Sequence, residues 1–184
     1  MNEEIIATAP KPFVFVLMPF SEEFDDIYKF GIKGASEDAN AYAERVDEQL
    51  YDEGVLDRIF NQINKADVIV ADMTGRNPNV YYEVGYAHAL GKIVLLLTQN
   101  VNDIPFDLKH RPHTIYAGKI QTLREELSQK LIWAISESHR EKKQVRERFL
   151  VSIDGIEILE DYSNDNVPVI TFIAQGFPHK LISP

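Results

Sequence analysis

Short unbroken apolar runs alternate with stretches of helical periodicity along most of the chain. Phe13 to Leu17 is one such run, closed by Met18-Pro19-Phe20, which predicts a strand buried on both faces and stopped at a proline. Ser21 then offers an N-cap. Acidic Glu22, Glu23, Asp25 and Asp26 follow where a helix dipole favours negative charge, predicting a helix to about Ala39. Ala41 to Val46 reads as a second strand. After the segment Asp47 to Gly54, the spacing of Val55, Leu56, Ile59, Phe60 and Ile63 predicts an amphipathic helix ending near Lys65.

The alternation continues with a third strand, Val68 to Ala71, and a loop from Asp72 to Asn79. The next helix stops at Gly91, a suitable glycine just past a helix end. Ile93 to Leu97 gives the fourth strand and Thr114 to Tyr116 a short fifth, with the irregular segment Thr98 to Arg111 between them. A long helix from about Lys119 carries Leu123, Leu127, Leu131 and Ile135 on one face. The charged stretch His139 to Arg148 either prolongs it or forms a linker.

From Phe149 the pattern changes to strand-length runs, Phe149 to Ile153, Ile156 to Leu159 and Val167 to Ala174, separated by turn residues. This antiparallel appendage, residues 149–184, is too small to bury a core of its own. It is expected to pack on the α/β body or on a second subunit, the latter making a homo-oligomer. The expected division is a tail over residues 1–12, an α/β domain over 13–138, the charged stretch 139–148, and the appendage.

Strands alternating with helices imply a doubly wound parallel sheet, most simply the flavodoxin-like order 2-1-3-4-5. Ligands of such sheets sit beyond the carboxyl ends of the strands, at the switch point between strands 1 and 3. Met18-Pro19-Phe20 follows strand 1, and Asp72-Met73-Thr74-Gly75-Arg76-Asn77 follows strand 3. The helix after that loop places Val80, Glu83, Val84 and Ala87 on one face, so a carboxylate lies in an otherwise apolar stripe. It sits too far along to be the glutamate of a capping box.

Composition narrows the chemistry. The 184 residues contain no cysteine, which removes disulfides, thiol nucleophiles and thiolate metal sites. The five histidines show no HxxxH or HxH pairing, so no metal site is expected, and no cofactor is called for. A formal net charge of −10 argues against a nucleic-acid partner, although a small nucleotide could still be held by local N–H groups. No apolar run is long enough to span a bilayer or serve as a secretory core, so a cytoplasmic location without membrane association is the default expectation.

Three blocks resemble the nucleoside 2-deoxyribosyltransferase-like group, which shares its wider architecture with TIR domains. They are Phe15-Val16-Leu17-Met18-Pro19-Phe20, Ala66 to Asp72, and Glu83-Val84-Gly85-Tyr86-Ala87-His88-Ala89-Leu90-Gly91-Lys92. With Ile104-Pro105-Phe106-Asp107-Leu108, the resemblance spans about Phe13 to Ile135. It implies a small nucleoside or nucleotide partner and Glu83 as a nucleophile that attacks C1′ of the sugar. A second base or water then resolves the glycosyl ester. A carboxylate suits a centre that develops oxocarbenium character. The same resemblance makes Asp72 a ligand of sugar or base. Met18, Pro19, Phe20 and Thr74 become substrate-binding positions, and Gly75, Asn77 and Asn79 shape the loop and add amide contacts. The chain departs from the transferase pattern in two respects: Phe15 stands where a tyrosine orients the nucleophile, and Asn77 and Asn79 stand where an acid precedes it. Those departures keep a TIR-like, non-catalytic module for nucleotide sensing or assembly as the alternative.

The local readings of the same residues are simpler. Asn77 could be an N-cap with Pro78 at the first helical position, Asp72 could close an Asx-turn, and Glu83 could pair with Arg76 or Lys92. His88 reads as a hydrogen-bonded packing residue, Tyr82 and Tyr86 as partly buried core.

Overall fold

The computed structural model describes residues 10–48, 54–153, 156–157 and 170–174, with side chains to residue 143. The sheet runs β2-β1-β3-β4-β5, every neighbouring pair parallel, as the alternation of strands and helices predicts. Its strands are β1 (Phe13–Leu17), β2 (Tyr42–Arg45), β3 (Val68–Asp72), β4 (Val94–Thr98) and β5 (His113–Ile115). Boundaries move from the sequence expectation by a residue or two. The move that matters is β3, which extends to include Asp72 paired in register with Leu97.

Period-two alternation divides β1 between two cores. Val14 and Val16 face one layer, built from the helical segment 27–38 and from Leu123, Leu127, Leu131 and Ile135 of α4 (Ile120–Arg148). Phe13, Phe15 and Leu17 face the other, where α2 (Val55–Lys65) and α3 (Pro78–Ala89) pack with Ile59, Ile63, Val80, Val84 and Ala87. Phe15 and Glu83 therefore lie on the same side of the sheet. The charged stretch to Arg148 continues α4 as a helix.

The helix expected from Ser21 to Ala39 is broken up. A 3-10 turn (Glu22–Phe24) is followed by π-helical Ile27–Lys33 and then by α1 (Gly34–Asp38). Ser21 has the extended backbone of an N-cap, but its hydroxyl donates to Glu23 Oε1 at 3.2 Å and caps nothing. Gly31 meets α4 so closely that an added Cβ would lie 2.9 Å from Leu123 Cδ2, a contact no larger residue could make unchanged.

Contacts divide the chain between Ser138 and His139. In the second unit, β6 (Phe149–Ile153) pairs antiparallel with both β7 (Ile156–Glu157) and β8 (Ile170–Ala174). The expected continuations at 158–159 and 167–169, and the tail 1–9, lie outside the described residues. No described helix is long and apolar enough to cross a membrane.

Candidate active site

The turn after β1 and the loop after β3 meet at the switch point as the topology requires. Thr74–Arg76 forms a 3-10 turn whose Gly75 and Arg76 both adopt left-handed backbone, with φ of 76° and 58°. For arginine that conformation costs energy and needs support. The neighbouring loop supplies it. Arg76 Nη2 donates to Asn102 O at 2.8 Å, Asp103 accepts from Gly75 N at 3.0 Å, and Tyr81 Oη donates to Asp103 O at 2.6 Å.

Asn77 then caps α3. Its Oδ1 accepts from Asn79 N at 2.9 Å and Val80 N at 3.4 Å, and Pro78 occupies the first helical position. The helix ends two residues before Gly91, which takes φ of 71°. This register aims Glu83, with Val80, Val84 and Ala87, at the sheet.

A cleft of about 350 Å³ opens between these segments. It takes lining from Phe15 through Phe20 on the β1 side, Val46, Val55, Leu56 and Ile59 on the α2 side, and Asn77, Asn79, Val80, Tyr82 and Glu83. Among its described lining residues the one ionisable group other than Tyr82 is Glu83, and none is a lysine or arginine.

Glu83 is 8% exposed and has no hydrogen bond or ion pair among the described residues. Its expected local partners are engaged elsewhere. Arg76 pairs with Asp103, and Lys92 Nζ donates to the carbonyls of Asn64 and Ala66 at 2.6 and 2.9 Å. Burial without compensation pushes the carboxyl up to about 7. It can therefore exchange a proton near neutral pH.

The sequence-predicted positions separate into three places. Met18, Pro19, Phe20, Asn77 and Asn79 line the cleft with Glu83. Thr74 and Gly75 border a shallower polar groove that shares Pro19 and Asn77 with it. Asp72 is fully buried, and both its oxygens are committed. Oδ1 accepts from Thr74 N at 3.0 Å and Thr74 Oγ1 at 2.5 Å, and Oδ2 accepts from Tyr116 Oη at 2.6 Å. Burial raises the Asp72 carboxyl above its usual range, with the Thr74 and Tyr116 bonds opposing it. Thr74 Oγ1 accepts in turn from Gln99 N at 2.9 Å, so the Asx-turn belongs to a brace joining β3, β4 and β5.

Several lining residues were not singled out in the sequence. Val55, Leu56 and Ile59 read only as an amphipathic stripe, and Tyr82, expected as core, is exposed. Arg45, the last residue of β2, is 6% exposed beside the cleft residue Phe20. Its position at the carboxyl end of a strand was the signal that could have marked it. His88 also differs from expectation. Its Nε2 is buried without a partner, and burial, aided by Arg111, lowers its affinity for a proton. Among the described residues no group of histidine and carboxylate side chains could hold a metal ion.

A parallel sheet of this order, with a cleft at its switch point lined by the buried Glu83 carboxyl, defines a flavodoxin-like α/β protein. Residues 3–149 match the model of the nucleoside 2-deoxyribosyltransferase family, and the chain belongs to that family. Its fold is similar to that of a 2-desoxiribosyltransferase from Leishmania mexicana, at 17% identity and a TM-score of 0.42. That match covers 48% of this chain and 65% of the Leishmania chain. A 2-deoxyribosyltransferase from the psychrotolerant bacterium Bacillus psychrosaccharolyticus matches at 18% identity and a TM-score of 0.44, covering 53% of this chain and 79% of that one. No match was found among curated proteins.

Proposed function

We propose that the chain cleaves or transfers at the N-glycosidic bond of a nucleoside or nucleotide, with Glu83 as nucleophile. The observation that carries this reading is the unpartnered, buried Glu83 carboxyl lining an apolar cleft of nucleoside size. A Glu83 oxygen forms a bond to C1′ as the C1′–N bond breaks. The base leaves with that electron pair and takes a proton from solvent, since the described lining offers no second carboxyl. Water or an N–H nitrogen of a second base then attacks C1′, the C1′–O bond to Glu83 breaks to free its carboxylate, and the attacking group gives up its proton to solvent. Ionised Glu83 is required for the first step, so turnover rises with pH through about 7.

Met18, Pro19 and Phe20 form the apolar surface against the ligand, and Asn77 and Asn79 contribute amide groups to it. Asp72 serves by holding the Thr74 turn in place, since Thr74 and Tyr116 already donate to both of its oxygens.

Incubation with a panel of deoxynucleosides, deoxynucleotides and NAD, followed by detection of free base, tests the proposal. Base should appear with the wild type and not with Glu83→Gln. Equal release from both proteins removes Glu83 from the reaction. The second reading is a module that binds without turnover. It is favoured by Phe15, whose ring gives Glu83 no hydroxyl, and by the commitment of Asn77 Oδ1 to the helix cap. Ligand binding by both proteins with no base released would establish it.

A further inference from the structure

Arg45 occupies an unusual environment for an arginine. Its guanidinium lies 4.7 Å from the ring centre of Tyr28 and 5.6 Å from that of Phe20, within cation–π range of both. Asp47 grips it through two bonds, Nε to Oδ1 at 2.6 Å and Nη2 to Oδ2 at 2.7 Å. Nη2 also donates to Asp25 Oδ1 at 3.3 Å. Nη1 is buried without a hydrogen-bond acceptor. Tyr28 is itself fixed from its far end, its hydroxyl donating to Glu48 Oε2 at 2.5 Å, while Lys33 holds the same carboxylate at 3.0 Å. The cation is thus held in place by groups other than Phe20.

Phe20 has the opposite character. It ends the Met-Pro-Phe turn, is 54% exposed, and lines the cleft, so little packing holds its ring. Its contact with the fixed guanidinium supplies an orientation that the turn alone does not.

We propose that Arg45 is a positioning residue for ligand binding, acting through Phe20: it holds that ring as a preset surface of the cleft on which the ligand's apolar or aromatic part rests. The proposal rests on the reading of the cleft as a nucleoside site. Arg45 takes no part in bond breaking, so its effect falls on KM and leaves kcat in place. A planar fork is needed to satisfy Asp47 through two bonds while lying against the rings, which a lysine ammonium cannot do.

The test is a double-mutant cycle in base release with Arg45→Lys, Phe20→Leu and the pair. Arg45→Lys should raise KM about fivefold, as loss of a partly exposed cation–π contact implies, with kcat changed less than about twofold. In the Phe20→Leu background the same change should leave KM unaltered. An equal effect of Arg45→Lys with and without Phe20, or a fall in kcat instead, overturns the proposal, because a residue that merely supports the fold acts regardless of what stands at position 20.

An arm independent of turnover uses F20W in a Trp133→Phe background, giving a single tryptophan at the cleft. Adding Arg45→Met should increase its quenching by acrylamide and lower its anisotropy. Unchanged fluorescence in a folded protein also overturns the proposal, and Arg45→Lys serves in the same arm if Arg45→Met does not fold. Absence of base release from the wild type counts against the reading of the site, while the fluorescence arm still decides the role of Arg45.

Discussion

Glu83→Gln should make this protein more stable, and only above acid pH. In the fold the carboxyl holds its proton to about 7 against an ordinary value of 4.5. Between those two values the unfolded chain releases a proton that the folded chain keeps. The carboxyl's contribution is therefore most favourable below about pH 4.5, declines as pH rises, and levels off above about 7. The difference, at about 1.4 kcal/mol per pH unit, is roughly 3 kcal/mol. Glutamine resembles the protonated acid in size and polarity, so the two proteins should match near pH 4 and diverge by that amount by pH 8 to 9. In a chain of this length, about 3 kcal/mol corresponds to a melting shift of roughly 6–12 °C. Urea denaturation followed by circular dichroism at pH 4, 6 and 8.5 measures it. A constant difference across that range would refute the reasoning, because it would mean that the Glu83 carboxyl is not desolvated.

Other expectations follow from individual contacts. Asn77→Ala should cost about 1 kcal/mol through loss of the cap on α3, whereas Asn77→Asp should keep the cap and, by placing an acid before Glu83, raise the rate of base release; melting curves and base-release rates check the two. Tyr116→Phe leaves Asp72 Oδ2 buried without its donor and should lower stability by about 1–3 kcal/mol in urea titrations. Gly31→Ala drives a methyl against buried Leu123, at a steric cost of about 1–3 kcal/mol that exceeds the roughly 1 kcal/mol alanine gains in a helix. Gly85→Ala, on the exposed face of α3 with open space around it, should instead stabilise by about 0.5–1 kcal/mol; opposite melting shifts for the two glycines are the check.

The parts of the fold that are legible in the sequence are those where burial sets the pattern. Strands covered on both faces must be continuous apolar runs, and Val68 to Ala71 or Phe13 to Leu17 can be little else. The same logic put Glu83 in a buried stripe. The π-helical segment was not legible, because Phe24, Ile27, Tyr28, Gly31, Ile32 and Ala35 keep the 3-4 spacing of an ordinary helix. A one-residue shift of backbone hydrogen bonding leaves no mark on that pattern. Asp72 shows a different limit. Its place at the end of β3 was readable, yet its partner Tyr116 is 44 positions away. Only the assembled sheet reveals that the carboxylate is already occupied. Arg45 escaped for the same reason, since its two rings and Asp25 come from segments remote in the chain.

The want of a cation in the described lining of the cleft bears on how ligands arrive. The chain carries a formal net charge of −10, and Arg45 beside the cleft is already met by Asp25 and Asp47. An uncharged nucleoside crosses such a field without hindrance, so its association rate should be indifferent to ionic strength. A nucleotide approaches against repulsion that salt screens over about 10 Å at 0.1 M, so its association should quicken as salt is added. If the cleft takes nucleosides as proposed, neutral ligands are favoured at the moment of encounter, before any contact in the cleft is made.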